Sequence, residues 1–403
     1  MPSGQERALR HYLRREVLAY ADAHRERLAP VWGRRGPRTL ADFARAPLIR
    51  LAEVADPADL VLRPDWWSLG PLQRRRGRAA RERAQRRFKP VHWTIHGGVL
   101  VGNSAVDMDR LADLGRRWLA LADVEPHDVL VNILPYGPNL GWWEVALGAR
   151  RAGLSAIDLP VSPPPAQVAR LRPSVLAGRP FDLARLLEAA ERAGHPLEDV
   201  HTLLAVGEPL EPGLRARLAG LLGEGGAVVA AFAPLGVRAL WGECREGTGL
   251  HTWPDAEVVE LVDPLSGEPV PPGADGEVVW SALGWRGTVF VRLRTGIFAS
   301  METGDCPWCG STNPRLAVTP STPAFLAGLD RSPLVAGWQA ELRTVNGAEE
   351  LVVFLVPASD AGLAALLTEL DAELSATQYV IVDGDTLDAR IVATGDRRVV
   401  DLR

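Results

Sequence analysis

Between residues 129 and 232 the sequence alternates in a way that leaves few folds open. Apolar, β-type runs at 129–134, 174–177, 203–206 and 228–232 are separated by helix-type segments at 142–152, 181–193 and 211–222. Strands joined through helices cannot pair as hairpins. Each crossover returns the chain to the same side of the sheet, giving βαβ units and a mostly parallel sheet. Downstream the pattern changes to short strands at 257–262, 276–281 and 288–293, with turn residues at 263–267 and 271–275 between the first two. A last α/β piece occupies roughly 335–403, with strands at 341–345 and 351–356 and a helix at 359–375. Upstream, Leu9, Tyr12, Leu13, Val17, Leu18 and Ala21 recur at helical spacing and predict an amphipathic helix over 5–28. Residues 38–50 read as a second short helical unit. The Arg-rich stretch 74–89 fits the solvated face of a helix better than a phosphate or RNA patch, because Glu82 and good helix formers interrupt the charge. No internal repeat is present.

Composition narrows the function classes. A formal net charge of −5 over 403 residues argues against a general nucleic-acid binder, and no apolar run reaches membrane-spanning length. The polar N-terminus carries no signal-peptide pattern, so the expected location is the cytoplasm. Lys89 is the only lysine in the chain. Any chemistry that needs an ammonium must use it or do without.

The sharpest local signal is Cys306-Pro-Trp-Cys309-Gly310. Two cysteines three apart around a tight turn present two thiolates to one ion. Cys244 and His251 can complete a closed tetrahedral Cys3His set, which is a structural rather than a catalytic zinc site. Two other readings stay open: a redox pair, which the loop-forming Ser311-Thr-Asn-Pro314 disfavours, and an incidental Cys244 and His251.

Several stretches in order then point to a family. They are Arg38-Thr-Leu-Ala-Asp-Phe, Ile133-Leu-Pro-Tyr-Gly137, Gly148-Ala-Arg-Arg-Ala-Gly153, Arg172-Pro-Ser-Val-Leu-Ala-Gly178 and Gly207-Glu-Pro209. Gly242-Glu-Cys244, Gly249-Leu-His251, Glu260-Leu-Val-Asp-Pro264, Gly276-Glu277, Val291-Arg-Leu-Arg-Thr295 and Arg397-Arg-Val-Val-Asp-Leu-Arg403 follow. Together they resemble the phenylacetate–coenzyme A ligase branch of the adenylate-forming enzymes. The resemblance implies an α/β adenylate-forming fold. Residues 1–90 would be the helical N-terminal region of a large domain and 91–327 its core, with a β-rich zinc-bearing subdomain at about 240–318. Residues 328–403 would form a reduced C-terminal α/β lid. Members of that branch can carry zinc at positions matching Cys244, His251, Cys306 and Cys309.

The family joins an aryl carboxylate to coenzyme A through an acyl-adenylate. The resemblance therefore implies a phosphate loop with a lysine, a magnesium-holding acid, a ribose-binding aspartate and a lysine near the C-terminus. The matching positions read otherwise. The phosphate loop is Thr94-Ile-His-Gly-Gly-Val-Leu-Val-Gly102, the adenine segment Phe232-Ala-Pro-Leu-Gly-Val-Arg-Ala-Leu240 has no acid, and Ile297 stands where the aspartate belongs. Ala393-Thr-Gly-Asp396 precedes Arg397 with no lysine. Asp305 could be a displaced ribose ligand, but spacing favours Ile297. A degenerate nucleotide site is thus expected around His96, Gly97, Gly98, Glu208 and Ile297, which puts ATP, magnesium and coenzyme A in doubt as cofactors and leaves no catalytic residue to name. His92 and His96 read as structural. Tyr136, Asn139, Trp142 and Trp143 fall where the family lines its acyl pocket, with core packing as the alternative; Trp66-Trp67 reads as a core or interface anchor. Expected is a pseudoenzyme, a binding or scaffold homologue with a zinc, an aryl or acyl ligand, and a second copy or pathway protein as partner. The alternative is an active ligase or acyl-transfer enzyme in which arginines such as Arg238, Arg292 and Arg294 clamp phosphates. The short hinge with Pro333 predicts one fixed docking of the C-terminal piece.

Overall fold

The structure, a computed structural model, describes residues 3–54, 56–63, 71–96, 98–137, 139–319, 326–345, 348–359, 362–366, 368, 377–394 and 398–401. Trp66, Trp67, Gly97 and Asp396 lie outside the described residues, as does most of the helix expected over 359–375.

The N-terminal amphipathic segment folds as predicted in character but not as one rod. Ser3–Tyr12 is α-helical, Leu13–Val17 widens into a π-helical turn, and the chain breaks at Ala21, which is extended, before Asp22–Trp32. Its six spaced apolar residues are all buried. Leu40–Phe43 is a single turn started by a capping box between Thr39 and Asp42. The Arg-rich stretch forms the helices Pro71–Arg75 and Gly77–Phe88 and is largely exposed.

A separate hairpin follows, β1 (Pro90–His96) with β2 (Val99–Ser104), then the helix Ala105–Leu121, capped by a Ser104–Asp107 box. The alternating region builds β3 (Val129–Asn132), β4 (Ser155–Asp158), β5 (Val175–Gly178), β6 (Thr202–Val206) and β7 (Ala227–Phe232). These pair in the order β4-β3-β5-β6-β7, all parallel, with the helices Leu140–Ala152, Pro165–Leu171, Pro180–Arg192 and Pro212–Gly220 between them. β4 is an edge strand whose four residues are exposed, so it lacks the apolar signal by which the other four are read.

The sheet continues antiparallel through β8 (Trp241–Gly242), β9 (Leu250–His251), β10 (Glu257–Val262), β11 (Gly276–Ala282), β12 (Leu293–Glu302) and β13 (Arg315–Val318), eleven strands in all. The strand expected at 288–293 is displaced: β12 begins at Leu293, because Arg292 takes a left-handed φ of 54° and turns the chain. The C-terminal sheet holds β14 (Val335–Val345), β15 (Ala348–Pro357), β16 (Thr377–Ile381) and β17 (Val399–Asp401) in the order β16-β15-β14-β17. Its Trp338, Ala340, Val353 and Leu355 share one buried cluster with Phe181, Leu183 and Leu187 of the helix Pro180–Arg192. The two sheets are therefore joined through a common core.

Candidate functional site

Two clusters carry the chemistry-bearing residues. The first lies where the central sheet turns antiparallel. β9 pairs with both β8 and β13, placing His251 opposite Gly242 and Arg315. Cys244 follows β8, and Cys306 and Cys309 occupy the turn between β12 and β13. That turn is closed by Gly310 N–H to Cys306 O (3.0 Å) and Cys306 N–H to Ser311 O (2.8 Å). The three sulfurs and a ring nitrogen of His251 all lie within 4.8 Å of one another. His251 Nε2 is 3.6 Å from Cys309 Sγ, close to the ~3.5 Å that tetrahedral bonds of ~2.0 and ~2.3 Å to one zinc would impose.

The electrostatics suit a cation. Burial, with Arg315 nearby, lowers the His251 pKa to about 4, so the ring is neutral and its lone pair free at neutral pH. Burial alone would raise the Cys306 thiol, but N–H groups of Cys309 and Trp308 and the Thr248 hydroxyl bring it down to about 6. The Cys309 thiol is pushed up, by burial first. Thr248 Oγ1 sits 3.3 Å from Cys244 Sγ and 3.2 Å from Cys306 Sγ. Neither Thr248 nor Arg315 was legible as part of the cluster in the sequence.

The second cluster is a cleft of about 160 Å³ walled by Gly207–Glu208 after β6, Phe232–Leu235 after β7, and Thr295–Ile297 in β12. Ile297 lines it. Asp305 is exposed beside Cys306 and does not line the cleft. The volume is below the roughly 300–1,000 Å³ of ordinary small-molecule sites. One reason is Arg398, which enters just before β17. Its Nε and Nη2 donate to the two Glu208 carboxylate oxygens at 2.7 and 2.6 Å, and Nη1 donates to Asp330 at 2.8 Å. Its guanidinium also lies over the rings of Phe181 (4.2 Å) and Trp338 (5.3 Å). Burial works against its charge, but the two carboxylates outweigh it and raise its pKa. Arg398 belongs to the quoted C-terminal stretch, yet its pairing with Glu208, 190 residues away, has no local signature.

The stretch matching the phosphate loop is the tip of the β1–β2 hairpin. His96 pairs with Val99, leaving two residues for the turn, and Gly98 has φ 81°. Gly97 lies outside the described residues. His96 is buried; its Nδ1 accepts from Gly236 N–H (3.1 Å), which leaves the Nε2 proton for Thr94 Oγ1 (3.0 Å). Burial, helped by Arg238, lowers its pKa to about 3. It is a satisfied neutral histidine, as the sequence suggested.

The four residues expected to line an acyl pocket come together at the start of the helix Leu140–Ala152. Asn139 is its N-cap, accepting from Gly141 and Trp142 N–H. Tyr136, which is exposed, meets Trp142 edge-on at 4.7 Å; Trp142 meets Trp143 at 4.9 Å; and Trp143 contacts the His92 ring at 4.2 Å. The tryptophans are only half-buried. The three arginines considered as clamps do not converge on an open pocket. Arg238 is enclosed by Asp107, Asn103 and backbone carbonyls of Gly102 and Thr288. Arg292 pairs with Glu260 and the carbonyls of Ala44 and Ala46, and Arg294 with Glu277.

Comparison with known proteins agrees with this architecture. Residues 102–284 match the family model of the AMP-binding enzymes. A phenylacetate–coenzyme A ligase of Thermus thermophilus is 27% identical over 223 residues, 54% of this chain and 50% of that protein. One of Pseudomonas putida is 26% identical over 202 residues, 49% of this chain and 46% of that protein. The chain thus matches about half the length of these curated relatives. Among solved structures, a 2-hydroxyisobutyryl-CoA ligase in its postadenylation state superposes with a TM-score of 0.70 at 18% identity, covering 100% of this chain and 91% of that one. The same enzyme in its thioesterification state gives 0.67 at 19%, covering 100% and 90%. These neighbours show the mixed α/β fold that adenylate-forming enzymes share, and the sequence matches, over about half of the chain, support an adenylate-forming superfamily member of the phenylacetate–coenzyme A ligase type.

Proposed function

We propose that this protein has lost ATP-dependent acyl-adenylate formation and acts as a non-catalytic binding or scaffold homologue of the ligases it resembles. The observation that carries the reading is Arg398. It fills the side of the cleft walled by Gly207 and Glu208, where the nucleotide site is expected, and engages both oxygens of Glu208. The two-residue hairpin tip and Ile297 point the same way. A turn that short offers few backbone donors to a triphosphate, and an aliphatic side chain accepts no hydrogen bond from ribose. The alternative, an enzyme with arginine clamps, loses support because Arg238, Arg292 and Arg294 are each engaged internally.

Around this core the proposal has four further parts. Cys244, His251, Cys306 and Cys309 hold a structural zinc that ties β8, β9 and the β12–β13 turn together as a subdomain at about 240–318. Residues 1–90, 91–327 and 328–403 act as helical region, core and reduced lid. The lid keeps one docking, stitched by Arg398 and by the two-pronged Arg179–Asp388 pair (2.8 and 2.8 Å). The aromatic group of exposed Tyr136 and half-buried Trp142 and Trp143 takes an aryl or acyl ligand, and a second copy or a pathway protein is the partner. Among the described residues no helix is long and apolar enough to cross a membrane, and the cytoplasm is the proposed location.

Pyrophosphate exchange into ATP with phenylacetate and other aryl acids tests the central claim. No exchange above background is expected. Turnover near ~1 per second, ordinary for an enzyme, would overturn it. Hydrogen exchange with and without ATP and coenzyme A tests the lid; ligand-dependent protection in β14–β17 would show that the lid still switches.

A further inference from the structure

A concentration of positive charge lies away from both clusters, on the N-terminal helical region. Arg7 and Arg10 lie on one face of the first helix, and Arg14, in the π-helical turn Leu13–Val17, continues the same wall. A wider turn shifts the phase of the residues after it, and Arg15 joins the same wall. The facing wall is the loop Gly33–Arg38, which supplies Arg35 and Arg38. Gly33 and Gly36 take φ of 62° and 66°, and Gly36 is packed so closely that an added Cβ would lie 3.2 Å from Leu18 Cδ1 and 3.5 Å from Arg14 Cβ. The loop is thereby seated against the helix, with Gly36 and Pro37 buried and the flanking arginines exposed. Arg10 donates to Arg38 O across the gap. Between the walls is a concavity of about 690 Å³, lined by six arginines, His11 and Pro37 and by no carboxylate among the described residues.

Six guanidinium groups line one hollow in a chain of net charge −5, and like charges so placed repel one another. Two of the nearby acids are engaged elsewhere, Glu16 with Arg286 and Arg87 and Asp42 with Arg45, while Glu6 pairs with the basin's Arg10 at 4.0 Å. The Arg10 Nε is buried with no hydrogen-bond partner among the described residues. Guanidinium groups match phosphate oxygens two at a time, which ammonium groups do not.

We propose that this basin binds a small polyanion carrying two or more phosphate groups. Its two-walled shape and size favour a compact ligand over a nucleic-acid strand, which would extend onto a surface whose overall charge is negative. The assignment is independent of whether adenylate chemistry survives, because none of its residues belongs to the nucleotide cleft.

Calorimetric titration of the intact protein with sodium tripolyphosphate tests it, comparing wild type with Arg14→Glu/Arg35→Glu and a charge-matched control, Arg150→Glu/Arg192→Glu. Binding of one tripolyphosphate per chain is expected at 50 mM NaCl, weakening by roughly tenfold by 200 mM as the Debye length shortens. The basin variant should lose at least ~10-fold in affinity and the control less than ~2-fold. If the charge-reversed variant does not fold, Arg14→Gln/Arg35→Gln gives the same ordering with a smaller loss. Parallel titrations with ATP and coenzyme A identify the source: tighter binding than tripolyphosphate, lost in the basin variant, indicates an organic phosphate, and equal binding an inorganic one. No heat at millimolar tripolyphosphate, an equal loss in the control, or binding of only an RNA oligonucleotide or an acidic peptide would each overturn the proposal.

Discussion

The cysteine–histidine cluster and the cleft beside Glu208 and Ile297 share one sheet, and they differ in what their side chains can hold. In the first, four side chains from three separate segments keep their ligand atoms within 4.8 Å. In the second, the positions expected from the resemblance to meet phosphate, ribose and magnesium hold a hairpin tip, an isoleucine and an acid-free segment, and Arg398, just before β17, lines one side. A metal set of the first kind stabilises the fold whether or not the protein turns over, because binding adds to folding. A nucleotide site contributes only when the substrate is present. The contrast fits the proposal of a protein kept for its shape and contacts.

The largest effect should come from the first cluster. Purified protein is expected to carry roughly one zinc per chain, and Cys309→Ser or a strong chelator should cost on the order of 5–10 kcal/mol of stability. Elemental analysis and thermal melting read this out. Protein purified without chelator but free of zinc would remove one side of the comparison.

Next is Arg398→Ala. It leaves Glu208 and Asp330 facing each other in a buried site without their cation, and a loss of ~3–5 kcal/mol is expected. Urea denaturation measures it. If the variant is as stable as wild type, the arginine is a surface decoration rather than a filler of the cleft. If it also gains affinity for AMP in a thermal-shift assay, the cleft was closed by that side chain alone.

The pH dependence separates the regions further. His96 is neutral in the folded protein, with its pKa lowered from 6.5 to about 3 by burial. A depressed histidine pKa means its stability contribution is complete above about pH 6.5 and falls as the pH drops toward 3, by up to ~1.4 kcal/mol per pH unit. His24, buried against Val289 O and also lowered to about 3, adds to the slope. Replacing His96 with Asn should flatten the fall in melting temperature between pH 6.5 and 4. An unchanged slope would mean His96 is not the buried neutral group it is described as.

The smallest effect is at the hairpin tip. Gly98 has φ 81° and open space where a Cβ would go, so Gly98→Ala meets only backbone cost, ~1–2 kcal/mol. A larger loss would indicate that the tip packs against something, and a ligand-protected tip would reopen the phosphate-loop reading.

Much of this was legible in sequence for identifiable reasons. The four apolar strands β3, β5, β6 and β7 announce themselves because both faces are buried. β4 does not, since Ser155-Ala-Ile-Asp158 is a solvent-facing edge held only by pairing with β3. The displaced start of β12 is a backbone event at Arg292 that residue type does not report. Likewise Cys306 and Cys309 are readable as a pair because three residues separate them, while Thr248 and Arg315 join their cluster only through strand register.

Sequence by itself therefore determined the periodicities, the mixed α/β class, the single lysine and the residue types at each family position. All of these are properties of short windows or of composition. Tertiary structure decided where Arg398 goes, that Arg238, Arg292 and Arg294 are consumed internally, and that six arginines from two segments share one hollow. Such facts depend on contacts between residues tens to hundreds of positions apart. Ion pairing and packing at that range are fixed by sheet register and helix docking, which no local pattern encodes.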